Sequence, residues 1–387
     1  MLVRRSLTLG DFRSAIPELA AEAKARSLEF EAQRKLSSDF ADKLKRAGAF
    51  KVLVPAAAGG LGGTLNEWLE MAIALGEADA STAWVFSHAN ICAGVIYASG
   101  DPRFVEEFFS DPDACAAWSS LPRIQAVEQA DGIRITGSWS FESGCTASTF
   151  VGGMVTLAPD AEGRPRAVAA LAPVDEAAIE ETWNPVGLAG TGSHEVHFRD
   201  VFVPWHRTFV WPAGRPRSPY PAAAFVPGAW FIAMGAAATH LGLARRALDE
   251  ARNELRGKTD RYTNRVLLEN DATQQTLEAA EGLWFACRAG MREALSKIWE
   301  AAMRGEPPST EMRLTARVAA VTATDKGAEI VRAAYDAAGA GAIDRGNLMQ
   351  RLLRDASCLT HHVSAKRASY ELTGRVRCGI DRLSFRV

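Results

Sequence analysis

The sequence predicts a mainly α-helical protein with a β-domain in its middle third. Alanine-rich, charge-patterned stretches at helical spacing occupy both ends of the chain. Between about residues 114 and 203 the character changes to short β-branched and aromatic runs separated by Gly, Pro and Asp. No alternation of strand and helix marks a Rossmann or TIM architecture, so the order is α, then β, then α.

Residues 11–47 read as helical, and GAFKVLVPAAAGGLGG (48–63) as a punctuated connection. Two further helices follow over 66–76 and 81–99, with Asp79 and Ser81 as caps. Strand signals lie at 133–141, 149–157, 167–174 and 195–204, and WPAGRPRSPYP (211–221) reads as a proline-rich linker. Helical segments at 222–256, 271–304, 309–338 and 346–374 then make a four-helix bundle. The implied domain limits are 1–113, 114–215 and 216–387.

With 387 residues, 48% of them hydrophobic and 44 basic against 46 acidic, the chain is neither disordered nor a polyanion binder working by bulk charge. Nucleic-acid partners are not expected. The six cysteines (92, 115, 145, 287, 358, 378) include no CxxC pair, which argues against zinc knuckles and a disulfide framework and for a reducing cytoplasm. The N-terminal stretch has no export signal, because Gly10 and Asp11 interrupt it. Uncharged runs at 81–100 and 218–244 are long enough to span a bilayer, yet the first holds His88 and Asn90 and the second three prolines. Both read as buried helices, with no membrane contact.

Several motifs fail on inspection. GGLGG (59–63) lacks a following GK[ST], His194 and His197 sit on opposite faces of a strand, and no GxSxG elbow is present. No metal site is expected. On GSWSFESG (137–144), strand alternation puts Trp139, Phe141 and Ser143 on one face. Two aromatic planes ending in a hydroxyl suit a flat heteroaromatic cofactor, although periodicity alone favours a half-buried strand with Ser143 capping a turn.

Four strings in order, VPAAAGGLGG (54–63), the strand ending at Ser143, GLAGTGSHEVHFRDVFVP (187–204) and QRLLRDA (350–356), resemble the acyl-CoA dehydrogenase superfamily over nearly the whole chain. The resemblance implies an N-terminal helical domain, a β-barrel-like middle domain and a C-terminal four-helix bundle, with flavin between the last two. The glutamate that such dehydrogenases use as base would fall at Val363 or within Phe231-Ile232-Ala233, where no side chain can take a proton.

The branch of two-component flavin monooxygenases, similar to the oxygenase component of 4-hydroxyphenylacetate 3-hydroxylase and to dibenzothiophene monooxygenase, fits better. It implies a catalytic histidine at His362, seven residues after Asp355, a serine beside the flavin at Ser143, and a second histidine matched by His88. His88 reads equally as a buried core histidine. Trp118 and Ser120 match positions beside the isoalloxazine, joined by Trp139 and Ser143 as cofactor contacts, while Arg354 and Asp355 read as a structural pair or cap. If the last segment is one helix, His362 shares a face with Asp355 and His361 lies about 100° away. As an ordinary imidazole His362 would change charge between about pH 6 and 8.

The implied activity is hydroxylation of a small aromatic or heteroaromatic substrate by O2 through a flavin C4a-hydroperoxide. The cofactor is reduced FMN or FAD (FMNH2 or FADH2), delivered by a separate NAD(P)H:flavin reductase because the chain has no nicotinamide fingerprint. A homotetramer is expected. The competing readings are an acyl-CoA dehydrogenase-like or nitroalkane-oxidase-like flavoprotein, and a helical scaffold without flavin.

Overall fold

The computed structural model describes residues 7–120, 122–210 and 230–381. Five helices come first: α1 (Leu9–Gln33), α2 (Ser38–Arg46), α3 (Leu65–Ala78), α4 (Ala80–Ser99) and α5 (Pro102–Ser110). Thr8 with Asp11 and Thr64 with Glu67 form capping boxes at the starts of α1 and α3, each satisfying two backbone donors that the first helical turn leaves free. Asp79 caps α4 by accepting from the Thr82 N–H at 2.7 Å, as its sequence position suggested. Ser81 lies inside the helix instead. Helix α4 is buried on nearly every side, which explains its uncharged sequence. Among the described residues no helix is long and apolar enough to cross a membrane.

The middle of the chain forms β1 (Ala116–Ser119), β2 (Pro122–Gln129), β3 (Gly132–Glu142), β4 (Phe150–Leu157), β5 (Arg166–Pro173), β6 (Ala178–Glu180), β7 (His194–Pro204) and β8 (Thr208–Phe209). They make two open four-stranded sheets, ordered β1-β4-β5-β8 and β2-β3-β7-β6, in place of the barrel-like closure expected from the resemblance. The sheets share one core that includes Ile133, Ile135, Trp139, Val151, Val155, Val196 and Phe198.

The C-terminal part contains α6 (Trp230–Arg256), α7 (Asp271–Met303), α8 (Thr310–Ala338), α9 (Leu348–Leu359) and α10 (Ala368–Arg377). The fourth expected helix is thus two, interrupted over residues 360–367. The proline-rich linker, the second expected domain limit and the start of the first bundle helix lie outside the described residues. Helix α6 crosses α3 so closely that a Cβ on Gly242 would fall 2.4 Å from the Ile73 carbonyl oxygen and 2.6 Å from Gly76 Cα. Paired glycines let the two backbones touch, and the N-terminal helices and the bundle share one apolar core running from Phe12 through Trp68 and Met234 to Leu295.

Candidate active site

A cavity of about 400 Å³ opens where α4, the ends of β1 and β3, the loop before β7, α6 and the turn after α9 converge. That volume is typical of a small-molecule site. Its walls are mostly aromatic and aliphatic, with hydroxyls and imidazoles at a few points.

Trp84 on α4 organises the polar points, although the sequence reading gave it no role. Its indole N–H donates to Ser143 Oγ at 2.9 Å. Its ring stacks near His88, with centroids 6.1 Å apart, and meets His362 edge-on at 5.1 Å. His88, Ser143 and His362 therefore come together around one side chain, and all three line the cavity. His88 stands one helical turn after Trp84, with Nε2 3.7 Å from Cys92 Sγ.

Burial governs both histidines. Loss of solvation lowers the His88 pKa to about 4, with the His362 charge a smaller contribution. Burial likewise lowers His362 to about 4, assisted by the Arg317 guanidinium. The expected charge change between pH 6 and 8 is therefore replaced by a ring that stays neutral there. His362 Nδ1 accepts from the Ser364 N–H at 3.2 Å, which leaves the ring proton on Nε2. His362 owes its position to the break after α9, where neither it nor His361 is helical, and His361 also lines the cavity. The heptad spacing from Asp355 thus does not set its direction.

Trp118 on β1 lines the cavity and packs against Phe209 with ring centroids 5.6 Å apart, and the exposed Ser120 stands at the cavity edge. Trp139 does not line it. A register shift between Trp139 and Glu142, with Phe141 at φ +62°, breaks the strand alternation on which the shared face depended. Trp139 points into the sheet core, its ring 5.0 Å from Phe198 and its N–H donating to the Met154 carbonyl at 3.1 Å. Phe141 swings out toward Trp183 and, with Ser143, does line the cavity.

The 187–193 loop adds Leu188, Thr191 and Ser193 to the wall. A Cβ on Gly187 would meet the Arg354 backbone at 2.5 Å, so this loop lies directly on α9. Asp355 accepts the Leu188 N–H at 2.6 Å and Arg354 donates to the Val186 carbonyl at 2.5 Å. Arg354 and Asp355 are thus neither an ion pair with each other nor a helix cap; Arg354 pairs with Glu31, and both residues bond the 186–188 backbone, joining two of the strings that carried the resemblance. Thr191 and Ser193 were visible in GLAGTGSH but had no assigned role.

Among the described residues no carboxylate lines the cavity, and Ile232 and Val363 stand at its wall where a dehydrogenase base was sought. Flat aromatic surfaces at Trp118, Trp183 and Phe141, with hydroxyls at Ser120 and Ser143, fit an isoalloxazine ring.

The acyl-CoA dehydrogenase N-terminal domain family matches residues 10–111, and its C-terminal domain family matches 234–367. The chain is 30% identical to indole-3-acetate monooxygenase of Pseudomonas putida over 361 residues, covering 92% of this chain and 90% of the relative. It is 30% identical to the oxygenase component of FADH2-dependent resorcinol hydroxylase of Rhizobium sp., covering 88% and 87% of the two chains. The crystal structure of 3-HSA hydroxylase from Rhodococcus sp. RHA1 superposes with a TM-score of 0.87 at 25% identity, covering 97% of this chain and 99% of that one. The chain therefore belongs to the flavin-dependent monooxygenase branch of the acyl-CoA dehydrogenase superfamily.

Proposed function

We propose that this protein is the oxygenase component of a two-component flavin monooxygenase and hydroxylates a small aromatic or heteroaromatic compound. The observation that carries this is an aromatic cavity holding two neutral imidazoles and several hydroxyls, with no lining carboxylate among the described residues to serve as a dehydrogenation base. Reduced FMN or FAD, supplied by a separate NAD(P)H:flavin reductase, provides the two electrons that reduce one oxygen atom of O2 to water while the other enters the substrate.

The chain's own residues then bind, orient and keep water out. Trp118, Trp183 and Phe141 offer apolar surface to flat rings. Ser143 would offer a hydrogen-bonding oxygen to a flavin held in the cavity. His362, neutral and protonated at Nε2, serves as a hydrogen-bond donor to an oxygen or substrate hydroxyl, because its Nδ1 is already occupied by the Ser364 N–H. His88 extends the same neutral wall beyond Trp84. The mostly apolar lining would limit unproductive release of H2O2.

The test is anaerobic loading with FMNH2 or FADH2, mixing with O2 in the presence of indoles and phenols, and counting hydroxylated product against H2O2. Product with either flavin supports the reading. H2O2 alone with both flavins and every substrate, or dye reduction by an acyl-CoA, rejects it.

A further inference from the structure

An indole and three hydroxyls form a hydrogen-bonded chain along the cavity wall, and its carbonyl end fixes its direction. At one end Trp84 Nε1, which can only donate, lies 2.9 Å from Ser143 Oγ. Ser143 Oγ lies 2.8 Å from Ser193 Oγ, which lies 2.8 Å from Thr191 Oγ1. At the other end Thr191 Oγ1 lies 2.8 Å from the Leu188 carbonyl oxygen, which can only accept.

Each hydroxyl has one proton. Thr191 gives its proton to Leu188 and so accepts from Ser193. Ser193, with its proton committed to Thr191, accepts from Ser143. Ser143 receives the Trp84 N–H and gives its own proton to Ser193. The reverse order would set two oxygen lone pairs against each other at Leu188 and would turn the Ser143 proton into the cavity. Ser143 is left with one lone pair and no proton to offer a ligand.

All four side chains are buried, so a mismatch along the chain is costly. The acceptor end is held firmly, because Trp183 Nε1 also donates to the Leu188 carbonyl at 3.0 Å and Asp355 takes the Leu188 N–H.

We propose that this one-way chain makes the site select reduced over oxidised flavin, with Thr191 and Ser193 as the positioning residues that act through Ser143. The inference rests on the flavin reading above. At neutral pH, N5 is the isoalloxazine nitrogen that turns from acceptor to donor on reduction, so the chain matches N5–H and opposes the bare N5 of oxidised flavin. N3–H, a donor in both states, would give no discrimination if it faced Ser143.

The experiment measures anaerobic dissociation constants of FMN and FMNH2, and of FAD and FADH2 where FMN does not bind, by equilibrium ultrafiltration, for the wild type and for Thr191→Val, Ser193→Ala and Trp84→Phe. Thr191→Val frees Ser193 to donate toward Ser143, and Ser193→Ala removes the acceptor for the Ser143 proton. Either change lets Ser143 donate into the cavity. Wild type should prefer FMNH2, and both variants should lower that preference about three- to tenfold, the scale of one hydrogen bond, chiefly by tightening FMN. Trp84→Phe keeps the Leu188 end and should hold the preference more closely.

Folded Thr191→Val and Ser193→Ala proteins that bind both flavins with the wild-type preference would overturn the proposal while leaving the monooxygenase reading intact. A wild type that binds neither FMN nor FAD in either redox state would overturn both. If near-ultraviolet circular dichroism shows Thr191→Val misfolded, Ser193→Ala, which removes a single oxygen, decides the matter.

Discussion

Replacing Asp355 with asparagine should make the protein progressively more stable than wild type as the pH rises from 5 to 8. Asp355 is 7% exposed, and its carboxylate oxygen accepts the Leu188 N–H at 2.6 Å. Burial raises its pKa from 3.8 to about 7, opposed by the Leu188 N–H and Arg351 and reinforced by Asp79. A raised folded pKa means that the folded state holds the proton more tightly than the unfolded chain. Its stabilising effect is complete below the unfolded value and is lost as pH rises through the folded value. For a shift of this size the loss between pH 5 and 8 is about 2 to 3 kcal/mol. Asparagine keeps an acceptor for Leu188 but has no proton to lose. The gap between variant and wild type should therefore open by that amount, read as several degrees in Tm by scanning calorimetry at one fixed scan rate. Buried histidines such as His240, whose pKa burial lowers to about 4, push both proteins the opposite way and cancel in the difference. Melting curves that stay parallel from pH 5 to 8 would refute the claim that this carboxyl is held protonated.

Three further outcomes are expected. His362→Ala should lower the yield of product per flavin oxidised without changing the pH profile between about 5.5 and 8, because the lowered pKa leaves the ring neutral well above 4; a wild-type inflection near pH 7 that vanishes in the variant would contradict this. Trp139→Ala should cost about 3 to 5 kcal/mol of stability by emptying the sheet core, while flavin affinity per folded molecule holds; weaker flavin binding at unchanged Tm would return Trp139 to the site. Light scattering at micromolar concentration should give the mass of four chains, as the resemblance to the superfamily implies, although residues 230–244 of the uncharged stretch are nearly all buried already within one chain, and a monomer would remove that expectation.

Long periodic signals were readable from the sequence, and local irregularities were not. Helix α4 and its Asp79 cap, the middle strands and the long helices α6 to α8 follow from spacing and capping chemistry. The face shared by Trp139 and Phe141 was misjudged because one residue with positive φ reverses the alternation, and nothing in WSFES announces it. The break after α9 carries no glycine or proline, so CLTHHVSAKR reads as continuous helix. There the backbone turns through bonds such as His361 N–H to the Cys358 carbonyl at 3.1 Å and Ala365 N–H to the His362 carbonyl at 2.9 Å. His362 was found by resemblance, and its place in the cavity depends on that break. Trp84 was missed because a tryptophan on an apolar helix reads as core, and only the fold brings its N–H to Ser143.

The irregular backbone around the cavity is concentrated where the polar groups must point inward. Phe141 at φ +62° and Leu188 at φ +56° both adopt a conformation that costs a bulky residue on the order of 1 to 3 kcal/mol. Each is held by bonds that regular structure would not supply. The Ser143 N–H donates to the Phe141 carbonyl at 3.0 Å, and Leu188 is tied at both its N–H and its carbonyl. Leu188 cannot relax without releasing Asp355, Trp183 and Thr191 together. The same residue fixes the end of the hydroxyl chain that reaches Ser143. Strain at Leu188 and the direction of the Ser143 proton are therefore two consequences of one arrangement, in which α9 grips a loop and the loop sets the polarity of the cavity wall.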